Sequence, residues 1–132
     1  MKQEARILVA DNSTSFRMFI EKVLAEVWAA ATLTFCRDGM EVLEYFEESS
    51  QRIPCLVLLD LGSTSFDVLK WLREQRRLTE LPVIIWSSIP LQREKELATQ
   101  FRATDYMKKP DTFSELLDTI RAFEQCHRCS SI

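Results

Sequence analysis

The run Leu56-Val57-Leu58-Leu59-Asp60 limits the possible folds most sharply, because an unbroken apolar stretch ends there on a single carboxylate. Half-exposed strands alternate apolar and polar residues, whereas strands covered by helices on both faces of a parallel sheet are apolar throughout. A buried parallel strand is therefore expected, with Asp60 the first group to leave the core. Open α/β sheets place ligand sites in the crevice beyond the carboxyl ends of their strands. The sequence thus asks what meets Asp60 there.

The rest of the chain repeats one alternation. Arg6 to Ala10 is a first short apolar run, followed by Asp11-Asn12-Ser13-Thr14-Ser15, which offers helix N-caps. Phe16, Phe19, Ile20, Val23, Leu24 and Val27 recur at spacings of three and four, one face of a helix. Thr32 to Cys36 is β-rich, and Asp38 with Glu41 then forms a capping-box pattern ahead of Val42, Leu43 and Phe46. After Asp60, the pair Thr64 and Asp67 precedes the stripe Val68, Leu69 and Leu72. Pro82 to Trp86 reads as a fourth strand that stops at Ser87-Ser88, and Pro90 suits the first turn of a helix from about Leu91 to Phe101. Asp105 to Met107 is a short fifth strand. Thr112 and Glu115 cap a last helix whose buried side is Phe113, Leu116, Leu117, Ile120 and Phe123.

Strands alternating with helices imply an α/β fold, a five-stranded doubly wound parallel sheet with right-handed crossovers. In the flavodoxin-like order 2-1-3-4-5 the topological switch lies between strands 1 and 3, which end in Asp11 and Asp60. One domain is expected over residues 1–125, with 126–132 a C-terminal tail. A chain of 132 residues, 46% hydrophobic and 28% charged, suits a single core.

Composition narrows the function. With 17 basic and 20 acidic residues, a net charge of -3 and no long block of one sign, a nucleic-acid partner is not expected. The only glycines, Gly39 and Gly62, cannot build GxGxxG or GxxxxGK[ST], so the common nucleotide-binding loops are excluded. The polar start and the short run Ile7 to Ala10 are neither a signal peptide nor a membrane span, so a cytoplasmic protein without a membrane partner is expected. In that compartment Cys36, Cys55, Cys126 and Cys129 are expected as free thiols, with Cys36 and Cys55 packing as small hydrophobes. Cys126-His127-Arg128-Cys129 has the spacing of half a zinc site but lacks a second pair, and reads as a frayed tail. Trp28 and Trp71 are expected as partly buried edges.

Asp11, Asp60, Ser87 and Lys109 each fall just past a strand, so a parallel sheet would gather them at one edge. Carboxylates suit Mg²⁺, which takes one or two of them together with waters and phosphate oxygens. An aspartate can also act as a nucleophile that carries a phosphoryl group, with a lysine and a hydroxyl offsetting the developing charge.

On these residues the chain resembles the receiver domains of two-component response regulators, the chemotaxis type included. Ile7-Leu8-Val9-Ala10-Asp11-Asn12 is similar to the family's acidic pair after strand 1, and Leu58-Leu59-Asp60 to its phosphoacceptor strand. Ile85-Trp86-Ser87-Ser88 resembles the switch Ser/Thr with a following small residue, and Tyr106-Met107-Lys108-Lys109-Pro110 the aromatic-x-x-Lys-Pro signature. The resemblance spans about Arg6 to Phe123. It implies a single-domain response regulator, not an enzyme beyond self-phosphorylation chemistry. Asp60 would accept phosphate from a histidine kinase or histidine phosphotransfer protein, held by Ser87 and Lys109. Mg²⁺ would lie on Asp11, Asn12, Asp60 and the Gly62 carbonyl, Tyr106 would switch rotamer, and a downstream protein would bind helix 4, strand 5 and helix 5.

Two departures keep a second reading open. Asn12 stands where the family usually has a second metal-ligating acid, which removes one negative charge and weakens the expected Mg²⁺ site. The segment Leu61-Gly62-Ser63-Thr64-Ser65-Phe66-Asp67 also runs about three residues shorter than the family's loop, by alignment on the following helix. A phosphorylatable receiver and a phosphorylation-independent pseudo-receiver, acting as a protein-interaction module, both fit. A flavin-binding doubly wound domain shares the architecture, but Asp11 would repel a phosphate there.

Overall fold

The computed structural model describes residues 5–48 and 52–126. Its elements are β1 (Arg6–Ala10), α1 (Thr14–Val27), β2 (Thr32–Cys36), α2 (Gly39–Glu47), β3 (Leu56–Asp60), α3 (Ser65–Glu74), a 3-10 turn at Arg76–Leu78, β4 (Val83–Ser87), α4 (Gln92–Gln100), β5 (Asp105–Lys108) and α5 (Phe113–Cys126). The strands form one parallel sheet in the order β2-β1-β3-β4-β5. The flavodoxin-like expectation holds. Of the expected tail at 126–132, Cys126 ends α5, and the rest, His127 and Cys129 included, lies outside the described residues. No helix among the described residues is long and apolar enough to cross a membrane.

The period-two pleat splits the central strands between two cores. Ile7, Val9, Leu56, Leu58, Ile84 and Trp86 face α1 and α5, while Leu8, Ala10, Val57, Leu59, Val83 and Ile85 face α2 and α3. This accounts for the unbroken apolar run at 56–59, since each residue of it is buried on one face or the other. By contrast α4 buries only Ala98, so its hold on the sheet is light.

Three helix starts follow the sequence closely. Ser13 Oγ accepts the Phe16 N–H, Asp38 Oδ1 the Glu41 N–H, and Thr112 Oγ1 the Glu115 N–H. In the last two the reciprocal arm reaches one residue beyond the cap, because Glu41 accepts from the Arg37 amide and Glu115 from the Asp111 amide. Two starts differ. Thr64 makes no side-chain cap bond to α3, and Pro90 precedes α4, which begins at Gln92 after a Leu91 cap.

Phe113 is 44% exposed rather than buried, because it opens α5 with no preceding turn to cover it. Trp28 is buried whereas Trp71 is partly so. Cys36 is a free, buried thiol pushed up to about 12 by desolvation first and then by neighbouring carboxylates. Cys55 is instead disulfide-bonded, which overturns the free-thiol expectation at that position.

Arg102, just after α4, has φ 65, and its N–H and that of Ala103 close the helix on Thr99 and Ala98. A side chain in this left-handed conformation costs about 1 kcal/mol. Arg102→Gly is therefore expected to raise stability by about 0.5–1 kcal/mol in urea denaturation. The Arg102 carbonyl that receives the buried Arg73 Nε would be retained.

Candidate functional site

Parallel register brings the strand ends together. Asp60 pairs with Trp86 across β3 and β4, and Ser87 pairs with Lys108 across β4 and β5. The Lys109 amide donates to the Ser87 carbonyl at 2.8 Å, so the lysine leaves the sheet at a fixed point. Its Nζ lies 2.6 Å from Asp11 Oδ2 and 3.3 Å from Asp60 Oδ1, and 4.2 Å from the Phe16 ring centroid. The Asp11 side chain is fully buried, and its Oδ1 also accepts the Ser13 N–H at 2.8 Å. Asp60 keeps 29% of its side chain exposed. Burial first and the Asp11 charge second raise the Asp60 carboxyl above its ordinary range, opposed by Lys109. Two carboxylates thus share one ammonium in a crevice of about 280 Å³, also lined by Asn12, Arg37, Asp38, Gly62 and Ser65.

The short β3-α3 connection is held by a residue the sequence did not single out. Ser65 Oγ donates to the Asp60 carbonyl and accepts the Gly62 N–H, while the Ser65 N–H donates to the Gly62 carbonyl. The serine is buried, and its signal would have been a small hydroxyl residue five positions after Asp60. The loop also lies tightly on the start of α2. A Cβ on Gly39 would come within 2.7 Å of Val68 Cγ2 and would clash with Thr64 Oγ1.

The remaining expected site residues stand further out. Asn12 is exposed. Ser87 is buried, and its Oγ accepts the Ile89 N–H at 3.2 Å. Tyr106 is partly buried, donating to Glu94 Oε1 and accepting the Leu91 N–H at 3.2 Å. Burial first and the Glu94 bond second push its phenol up, opposed by the Leu91 amide and Ser87.

In both sequence and fold the chain is similar to response-regulator receiver domains, which share this doubly wound sheet. No protein-family model matches the chain, and the likeness is to individual relatives. It is 27% identical over 131 residues to the KDP operon transcriptional regulatory protein KdpE of Escherichia coli, covering 95% of this chain but 53% of KdpE, so the chain spans about half of that relative. It is 24% identical over 120 residues to the polar-differentiation response regulator DivK of Brucella ovis, covering 89% of this chain and 93% of DivK. Among solved structures, the Mn²⁺-bound response regulator Rcp1 superposes with a TM-score of 0.81 at 18% identity, over 97% of this chain and 98% of Rcp1. The phosphorylated cyanobacterial phytochrome response regulator RcpA gives 0.83 at 20% identity, over 98% of each chain.

Proposed function

We propose that this receiver accepts a phosphoryl group on Asp60 from the phosphohistidine of a kinase or phosphotransfer protein and signals through protein contacts. The observation that carries this reading is the Lys109 ammonium shared between Asp11 and Asp60 beside the end of β4. In the reaction an Asp60 carboxylate oxygen attacks phosphorus, the P–N bond breaks, and the imidazole leaves with the bond's electron pair and takes a proton from water. Lys109 offsets the charge on the transferring oxygens, and the Ser87 hydroxyl donates to one of them.

The donor set suits a hard cation, since two carboxylates and an amide oxygen meet the usual Mg²⁺ requirement. Asp11, Asp60 and Asn12 would hold it, and it would supply positive charge toward the phosphoryl oxygens. The Gly62 carbonyl accepts the Ser65 N–H and keeps a second lone pair, so it would remain able to serve as the main-chain ligand. Asn12→Asp is expected to tighten Mg²⁺ binding about tenfold, read by titration of tryptophan emission.

Output would run through α4, β5 and α5. The light anchoring of α4 and the Tyr106 bond to Glu94 support a two-position element there. Glu94→Gln weakens the bond that ties Tyr106 to α4. The apparent affinity for beryllofluoride, a phosphoryl mimic, is expected to tighten about two- to fivefold as Tyr106 is freed to adopt a second rotamer.

A pseudo-receiver that signals without phosphate is the second reading, favoured by exposed Asn12 and the short connection between β3 and α3. Beryllofluoride with Mg²⁺ separates them, because Trp86 is fully buried directly before Ser87 and its emission reports the crevice. A change lost in Asp60→Asn supports phosphoryl acceptance. No response from the folded parent protein leaves the pseudo-receiver.

A further inference from the structure

A second cavity, of about 540 Å³, opens on the other side of Lys109 and is not part of the acidic crevice. Its walls come from the start of α1, the end of β4 and the segment joining β5 to α5. Phe16 and Phe19 give it an apolar floor. The two rings meet edge to face at 6.1 Å, and exposed Phe113 extends them, 6.3 Å from Phe19. The rim is polar: the hydroxyls of Ser13, Ser15 and Ser88, the ammonium of Lys108, and Asp111 3.9 Å from that ammonium.

An aromatic floor with a small set of polar groups at the rim, in a cavity of this volume, is the usual make-up of a small-ligand site. We propose that this cavity binds a small aromatic anion, its ring laid on Phe16 and Phe19 and its carboxylate or phosphate set against Lys108 and the serine hydroxyls. The floor selects the ring and the rim selects the charge. Lys109 lines this cavity while its ammonium contacts both acids of the crevice, so the two cavities share one wall. Phe16 also meets the buried Trp86 ring edge-on at 5.6 Å, which makes Trp86 a reporter for both.

The probe is 1-naphthoate, with 1-naphthylmethylammonium as the same ring carrying the opposite charge. Naphthoate is expected to change tryptophan emission saturably with a Kd at or below about 1 mM, and the ammonium compound to bind at least about tenfold more weakly. Lys108→Glu reverses the rim charge and Ser15→Phe fills the space. Both positions are exposed, and each variant is expected to weaken naphthoate about tenfold with an unchanged far-UV spectrum. Asp60→Asn should bind naphthoate like the parent, so the outcome is independent of phosphoryl transfer. The proposal is overturned if naphthoate does not saturate, if the cation binds equally well, or if both rim variants bind unchanged. Loss of binding in Asp60→Asn overturns it as well, since the anion would then lie in the acidic crevice.

Discussion

Lys109→Met is expected to cost about 3 kcal/mol of folding free energy as well as the response to phosphoryl mimics. Methionine keeps the length of the side chain and its packing on Phe16, so the loss isolates the charge. The partner left behind is Asp11, whose side chain has no exposure and whose one other donor is the Ser13 amide. Removing one member of a buried ion pair is far more damaging than the net worth of the pair, because the survivor stays desolvated without compensation. Urea denaturation gives the stability arm. The double variant Asp11→Asn with Lys109→Met should recover most of the loss, and equal destabilisation of the single and double variants would refute the account.

Asp60→Asn should move stability in the opposite direction while ending phosphoryl acceptance. Burial first and the Asp11 charge second raise the folded-state pKa of Asp60 above its ordinary value of 3.8. Across the interval between those two values the folded state holds the proton more tightly than the unfolded state, so stability falls as pH rises through it. At neutral pH the charged carboxylate therefore weighs against the fold, and the neutral amide does not. A rise in Tm of about 2–4 °C is expected for Asp60→Asn near pH 7. The difference from the parent should shrink as pH falls through the acid range. An unchanged or lower Tm at neutral pH would contradict the electrostatic assignment. Such opposition between stability and function is common where an active group is held in an unfavourable setting.

Much of this was legible in the chain. The apolar run at 56–59, the capping residues Ser13, Asp38 and Thr112, and the alternation of strands with helices fix the architecture through short-range rules. Those rules also place Asp11, Asp60, Ser87 and Lys109 at one sheet edge, because a parallel sheet leaves no other place for strand ends. What escaped the sequence depends on distance in space. Ser65 staples the loop only because that connection is short. Phe113 is exposed only because no element covers the first turn of α5. The Tyr106 hydroxyl turns to Glu94 and the Leu91 amide because α4 begins two residues beyond Pro90. The state of Cys55 is likewise decided by tertiary approach, which spacing along the chain does not reveal.

The ion pair between Asp11 and Lys109 joins residues 98 positions apart, and this orders events during synthesis. Once residues up to about 60 have emerged, β2, β1 and β3 can in principle pair, yet Asp11 then lacks the Lys109 ammonium that it contacts in the complete domain. Its counter-charge emerges only 98 residues later, so the first three strands cannot complete this ion pair among themselves. Long-range closure of this kind slows folding and leaves partial sheets exposed. A nascent chain stalled before residue 109 should therefore be much more protease-sensitive than one stalled after α5 has emerged, and the charge that would hold the phosphoryl group also seals the fold.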